Sequence, residues 1–167
     1  IILTVHRWGL ISDREKMNRL IDMLGGIEKD LRIVFPVHPR TMEYLREYML
    51  NKKLEKCKNI RLLPPLPYTS FIRLMANARY VISDSSAVQD ETSMLGVPCF
   101  VLREYTGRMS PGSCRNLSLV GKNPELIAKR SKKIRSKKMR AGKRETLWDG
   151  KSAQRIVETL LQPLKQD

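Results

Sequence analysis

The sequence predicts an α/β fold, a doubly wound parallel sheet of about six strands wrapped by helices. Three observations carry that expectation. Short β-branched runs alternate with amphipathic segments along nearly the whole chain. The 167 residues are enough for one domain with a sizeable core. A content of 41% hydrophobic and 29% charged residues is the mix of a globular domain.

The elements follow in order. Residues 1–5 (IILTV) read as the first strand, and a helix over 13–24 follows with Ser12 and Asp13 at its amino end. Residues 32–37 (RIVFPV) and 60–63 (IRLL) read as strands two and three, with a single helix over 41–53 between them. A helix over 70–77 leads to the fourth strand at 80–83 (YVIS), and a helix over 86–95 leads to the fifth at 99–102 (CFVL). The sixth strand is 117–120 (LSLV), followed by helices over 124–138 and 152–161. In a doubly wound sheet the order is 3-2-1-4-5-6, and ligands sit beyond the carboxyl ends of strands one and four, where the order reverses. That places the chemistry at His6-Arg7 and at Ser83 to Ser86.

The excess of 32 basic over 17 acidic residues gives a net charge of +15, which favours an anionic partner. Ten of those basic residues lie in one run without an acid, at 129–144; without them the charge is +5. A solvated helix and loop is the simpler account of that run, with a polyanion-binding module as the rival, so nucleic acid is not the expected partner. No apolar run approaches the roughly 20 residues that cross a bilayer. Three irregularly spaced cysteines, Cys57, Cys99 and Cys114, support neither a disulfide framework nor a metal site, and a reducing cytoplasm is the expected compartment. The chain opens inside an apolar strand, which reads as one half of a larger protein.

Both histidines follow strands directly. His6 follows IILTV and His38 follows RIVFPV, where an imidazole can donate to a phosphate or act as acid or base. His38 fits a structural imidazole equally well, and Arg7 fits a solvated strand end. The stretch SDSSAVQDE at 83–91 puts small hydroxyl residues where a strand turns into a helix, so a phosphate can reach the amides of Ser85, Ser86 and Ala87. Glu91, at helical spacing from Ala87, Val88, Met94 and Leu95, is expected on the apolar stripe, where a carboxylate must be paired or used, with a boundary residue reaching out to solvent as the rival reading. Arg103 and Arg108 follow the fifth strand and can pair with a diphosphate or simply be solvated. Phe71 can stack on a base, though Tyr68, Phe71, Leu74 and Met75 also read as a helical core stripe.

Taken together, TVHR (4–7), PVHPR (36–40), PLPYTSFIRLMANARYVISDSSAVQDE (65–91), LGVP (95–98), RxxTxR (103–108), LVG (119–121) and DGKSAQRIV (149–157) resemble the carboxyl-terminal half of the non-hydrolysing UDP-N-acetylglucosamine 2-epimerases. The resemblance spans nearly the whole chain with order and spacing kept. It implies a Rossmann-like domain, one half of a glycosyltransferase-B type two-domain fold, with residues 1–167 as the UDP-sugar-binding domain and the amino-terminal domain absent. It implies that Ser85, Ser86 and Ala87 bind the diphosphate, that Glu91 binds the ribose hydroxyls, and that Phe71 lies near uracil. It also implies that Arg108 contacts phosphate and that His6 is the catalytic-cleft histidine, with Arg7, the fixed charge beside it, expected to contact substrate. The reaction it implies inverts carbon 2 between UDP-N-acetylglucosamine and UDP-N-acetylmannosamine by proton removal, UDP elimination and re-addition, without metal or redox cofactor, in a homodimer. A glycosyltransferase domain of the same fold is the alternative.

Three stretches depart from the family pattern. Trp8-Gly9-Leu10 stands where the family continues with Glu-Asn, Ser85-Ser86-Ala87 replaces SGG, and Thr106-Gly107-Arg108-Met109-Ser110 replaces TERPE. Losing two glycines restricts the close approach of a phosphate to the backbone. The family's acid and base carboxylates lie mainly in the other domain, so the expectation is that this chain alone binds UDP weakly at most and turns nothing over.

Overall fold

A computed structural model describes residues 1–107, 116–121, 123, 126–127, 129 and 149–162. Six parallel strands form one sheet: β1 (Ile2–Thr4), β2 (Ile33–Pro36), β3 (Ile60–Leu63), β4 (Val81–Ser83), β5 (Cys99–Val101) and β6 (Leu117–Leu119). Their order is β3-β2-β1-β4-β5-β6, the order expected from the sequence, so the reversal falls between β1 and β4. There Ile2, Leu3 and Thr4 pair with Val81, Ile82 and Ser83. The register brings the ends of the two strands level, and with them the residues that follow.

Apolar layers cover both faces. Leu3, Phe35, Ile82 and Phe100 point into one core, which α2 (Arg14–Ile27) seals with Met17, Leu20, Ile21, Leu24 and Ile27. That spacing is the 3.6-residue repeat of one helix face. Asp13 caps α2 by accepting the Lys16 amide at 3.0 Å. Ile2, Val81, Cys99 and Val101 face the opposite core, against Met75 of α5 (Tyr68–Ala76) and Val88 of α6 (Ser86–Leu95). Burial pushes the Cys99 thiol up to about 12, so it behaves as an apolar side chain. Gly96, in the left-handed conformation at φ 68°, closes α6.

The structure corrects several expectations. The expected helix over 41–53 is two helices, α3 (Pro39–Glu47) and α4 (Leu50–Glu55), separated by Met49 in the left-handed region at φ 61°. The break has a packing reason. Leu45 and Leu50 are both buried, yet in one continuous helix they would project about 140° apart. Breaking the helix at Met49 rephases the chain, so that Leu50 and Leu54 face the core with Leu45. A four-residue helix α1 (Trp8–Ile11), absent from the sequence reading, follows β1. Tyr68 is 66% exposed, so the Tyr68 to Met75 stripe is buried only at Met75, while Phe71 and Leu74 pack partly against the core.

The last helix, Ser152–Leu161, forms as expected, with no buried residue. The expected helix over 124–138 and the basic run at 129–144 lie outside the described residues but for isolated positions. No helix among the described residues is long and apolar enough to cross a membrane.

Candidate functional site

The carboxyl ends of β1 and β4 meet at Asp84, whose side chain is 1% exposed. Its Oδ2 accepts the backbone amides of His6 at 3.0 Å and Arg7 at 2.9 Å, and its Oδ1 lies 3.3 Å from His6 Nδ1. A buried carboxylate is tolerated when donors surround it, and here the chain leaving β1 supplies them. The side chain of Arg7 then turns back. Its Nε donates to the Asp84 carbonyl at 2.8 Å and its Nη2 to Ser86 Oγ at 3.1 Å. Arg103, just past β5, donates from Nη1 to the same hydroxyl at 3.0 Å, and its guanidinium lies 5.5 Å from the Tyr105 ring centre. Three strands thus deliver His6, Arg7, Ser86 and Arg103 to one place.

Below them Gln89, fully buried, ties α6 to the loop after β5. Its Nε2 donates to the Ser85 carbonyl at 3.1 Å, and its Oε1 accepts the Thr106 hydroxyl at 2.6 Å. No side chain caps α6, since Ser85 makes no such bond; Ser83 Oγ instead accepts the Ser85 amide at 3.0 Å. That bond takes up the Ser85 amide, which was expected to meet a phosphate, and leaves the amides of Ser86 and Ala87, at the positive end of α6, open to an anion. Ala87 beside it is exposed.

Glu91 is a correction. The buried face of α6 is Val88, Gln89, Thr92 and Ser93, so Glu91 sits at the edge of the apolar stripe, half-buried, hydrogen-bonded by Tyr68. Its carboxyl is raised above the usual range, chiefly by desolvation; the Tyr68 bond opposes the shift and Asp90 adds to it. Phe71 lies one turn beyond Tyr68 on α5. His38 caps α3, its Nδ1 accepting the Arg40 amide at 3.3 Å, with its ring 5.9 Å from that of His6. Arg108 lies outside the described residues.

A cavity of about 420 Å³ opens beside the two arginines, lined by Arg7, Trp8, Asp84, Arg103 and Tyr105 among others. Another, of about 470 Å³, lies elsewhere on the same sheet edge, against Met42, Arg46 and Pro64. No group of three or more metal-ligating side chains occurs among the described residues. Sequence reasoning gave Asp84 no role of its own and missed Gln89, Thr106 and Tyr68. Only Asp84 carried a signal, an acid directly after an apolar strand.

The topology and this strand-end cluster define the class, a Rossmann-like α/β domain whose candidate site lies at the topological switch point. A family model for UDP-N-acetylglucosamine 2-epimerase matches residues 1–161, and the chain belongs to that family. It is 34% identical over 161 residues to the UDP-N-acetylglucosamine 2-epimerase of Methanocaldococcus jannaschii, covering 95% of this chain and 43% of that one. The Bacillus subtilis enzyme is 31% identical over 167 residues, with coverages of 96% and 43%. A crystal structure of the M. jannaschii enzyme in complex with UDP-GlcNAc and UDP superposes with a TM-score of 0.83 over 95% of this chain and 44% of that one. The Neisseria meningitidis enzyme bound to UDP-GlcNAc gives 0.75 at 26% identity, over 97% and 44%. The chain therefore spans less than half the length of these relatives.

Two outcomes are expected. Asp84→Ala removes the acceptor of two backbone amides and should cost about 1–3 kcal/mol in urea denaturation; a loss within about 0.5 kcal/mol, the range of surface substitutions, contradicts the anchoring role. Because the folded state raises the Glu91 pKa, native Glu91 binds its proton more tightly than unfolded Glu91. Its contribution is then fully present below the unfolded pKa and is lost as pH rises through the folded one. Glu91→Gln should melt higher than the unaltered chain at pH 7.5, and the gap should shrink at pH 4; a gap that widens on acidification has the wrong sign.

Proposed function

We propose that this chain is the carboxyl-terminal, UDP-binding half of an enzyme that interconverts UDP-N-acetylglucosamine and UDP-N-acetylmannosamine. The observation that carries the reading is the convergence of Arg7 and Arg103 on Ser86 at the uncapped start of α6. Two fixed cations and a row of amides in one place are a receptor for a diphosphate. Membership in the epimerase family supports uridine as the nucleoside.

In this reading the diphosphate lies against Ser85, Ser86 and Ala87, taking the amides of Ser86 and Ala87 while the Ser85 amide stays with Ser83 Oγ, flanked by Arg7, Arg103 and Arg108. Glu91 accepts hydrogen bonds from the ribose hydroxyls, and Phe71 lies beside the uracil. His6, 40% exposed at its side chain and oriented by Asp84, faces the sugar. In the reaction a proton leaves carbon 2 while the bond from carbon 1 to the UDP oxygen breaks, its electron pair departing with UDP. Proton and UDP then return with carbon 2 inverted. Arg7 and Arg103 stabilise the charge that builds on the departing diphosphate. The acid and base carboxylates belong to an amino-terminal domain of the full-length enzyme, which the same reading takes to be a cytoplasmic homodimer.

The test is titration of the chain with UDP and with uridine. UDP should bind more tightly than uridine, and Arg103→Ala should weaken UDP about tenfold or more, the scale of one charge-assisted hydrogen bond, with uridine unaffected. UDP-N-acetylglucosamine should not be converted by the chain alone. Equal affinity for UDP and uridine, or turnover by the isolated chain, overturns the reading.

A further inference from the structure

Ser86 has a chemistry that its place in the diphosphate site does not by itself explain. A serine hydroxyl offers one proton and two acceptor lone pairs. Here both acceptor positions are taken by cations, Arg7 Nη2 at 3.1 Å and Arg103 Nη1 at 3.0 Å. The proton must then point away from both guanidinium groups, and among the described residues no acceptor receives it. An oxygen that accepts twice from cations is polarised, so its O–H is a stronger donor than that of a free serine. The arrangement also holds two like charges side by side, which is unfavourable without an anion between or above them.

Each guanidinium makes one further contact besides the shared hydroxyl. Arg7 is held through Nε to the Asp84 carbonyl, and Arg103 lies over Tyr105. The shared hydroxyl therefore sets the spacing between two planar forks, each matched to one phosphate.

We infer that the Ser86 hydroxyl is a specificity-determining group: it spaces the Arg7 and Arg103 guanidinium groups for two adjacent phosphates and donates its own proton to one of them. A diphosphate fills both forks, whereas a monophosphate fills one and leaves the other cation uncompensated. This rests on the proposed nucleoside-diphosphate site and names what that site selects. It also accounts for a serine side chain at a position where a glycine would bring phosphate closer to the backbone.

The experiment is calorimetric titration of the chain and of its Ser86→Ala and Ser86→Thr variants with UDP, UMP and uridine. Ser86→Ala keeps the β-carbon and removes only the hydroxyl. It should weaken UDP at least tenfold, weaken UMP by less than half that factor, and leave uridine unchanged. Ser86→Thr retains the hydroxyl and should stay within about threefold of the unaltered chain for UDP, less than a single hydrogen bond. Equal losses for UDP and UMP, or an unchanged UDP affinity in Ser86→Ala, overturn this inference while leaving the UDP site standing. If the unaltered chain does not distinguish UDP from uridine, both this inference and the site it rests on fail.

Discussion

One buried carboxylate organises the sheet edge that carries the candidate site. Asp84 lies where the sheet reverses direction, and its oxygens accept the first two amides beyond β1. Without that acceptor the segment after β1 would have two inward-pointing donors and no fixed path. With it, the backbone direction at Arg7 is set, and the Arg7 side chain returns across the Asp84 carbonyl to Ser86. The cost of burying the charge is offset by the amides and by the nearby His6 imidazole. The same contacts that satisfy the carboxylate thereby place the residues of the site.

Packing makes that arrangement rigid. β4 and β5 are buried along their whole length, and an apolar layer lies on each face of the sheet. The ends of β1 and β4 cannot slide past each other without moving both cores. Gln89 extends the constraint outward, since its amide links the Ser85 carbonyl to Thr106 in the loop that carries Arg103. Flexible arginine side chains gain a defined geometry because each is held from a fixed backbone. In the proposed enzyme this half supplies preorganised charge for the diphosphate.

The sheet was readable from the sequence because strand runs and helical stripes are local patterns, and the strand order then follows from the doubly wound rule. His6, Arg7, Ser86 and Arg103 were readable for the same reason, as they flank strands one, four and five. What local pattern could not reveal depended on contacts between distant segments. The break at Met49 arises because Leu45 and Leu50 must share one core, which no propensity of the 41–53 segment announces. A helix of three turns permits several phases, and the buried pair Gln89 and Ser93 looks polar in sequence, so the spacing alone puts Glu91 on the apolar stripe. Asp84 has no role that its neighbours in the sequence reveal, because the amides it accepts, those of His6 and Arg7, lie nearly eighty positions away.

The most direct test of this account is an amide NMR titration of the isolated chain with UDP. The account predicts that the largest shifts fall at His6, Arg7, Ser85, Ser86 and Ala87, with Thr106 following through Gln89. Shifts confined to the separate groove at Met42, Arg46 and Pro64, or no shifts at saturating nucleotide, would contradict the claim that the Asp84-anchored switch point is the ligand site.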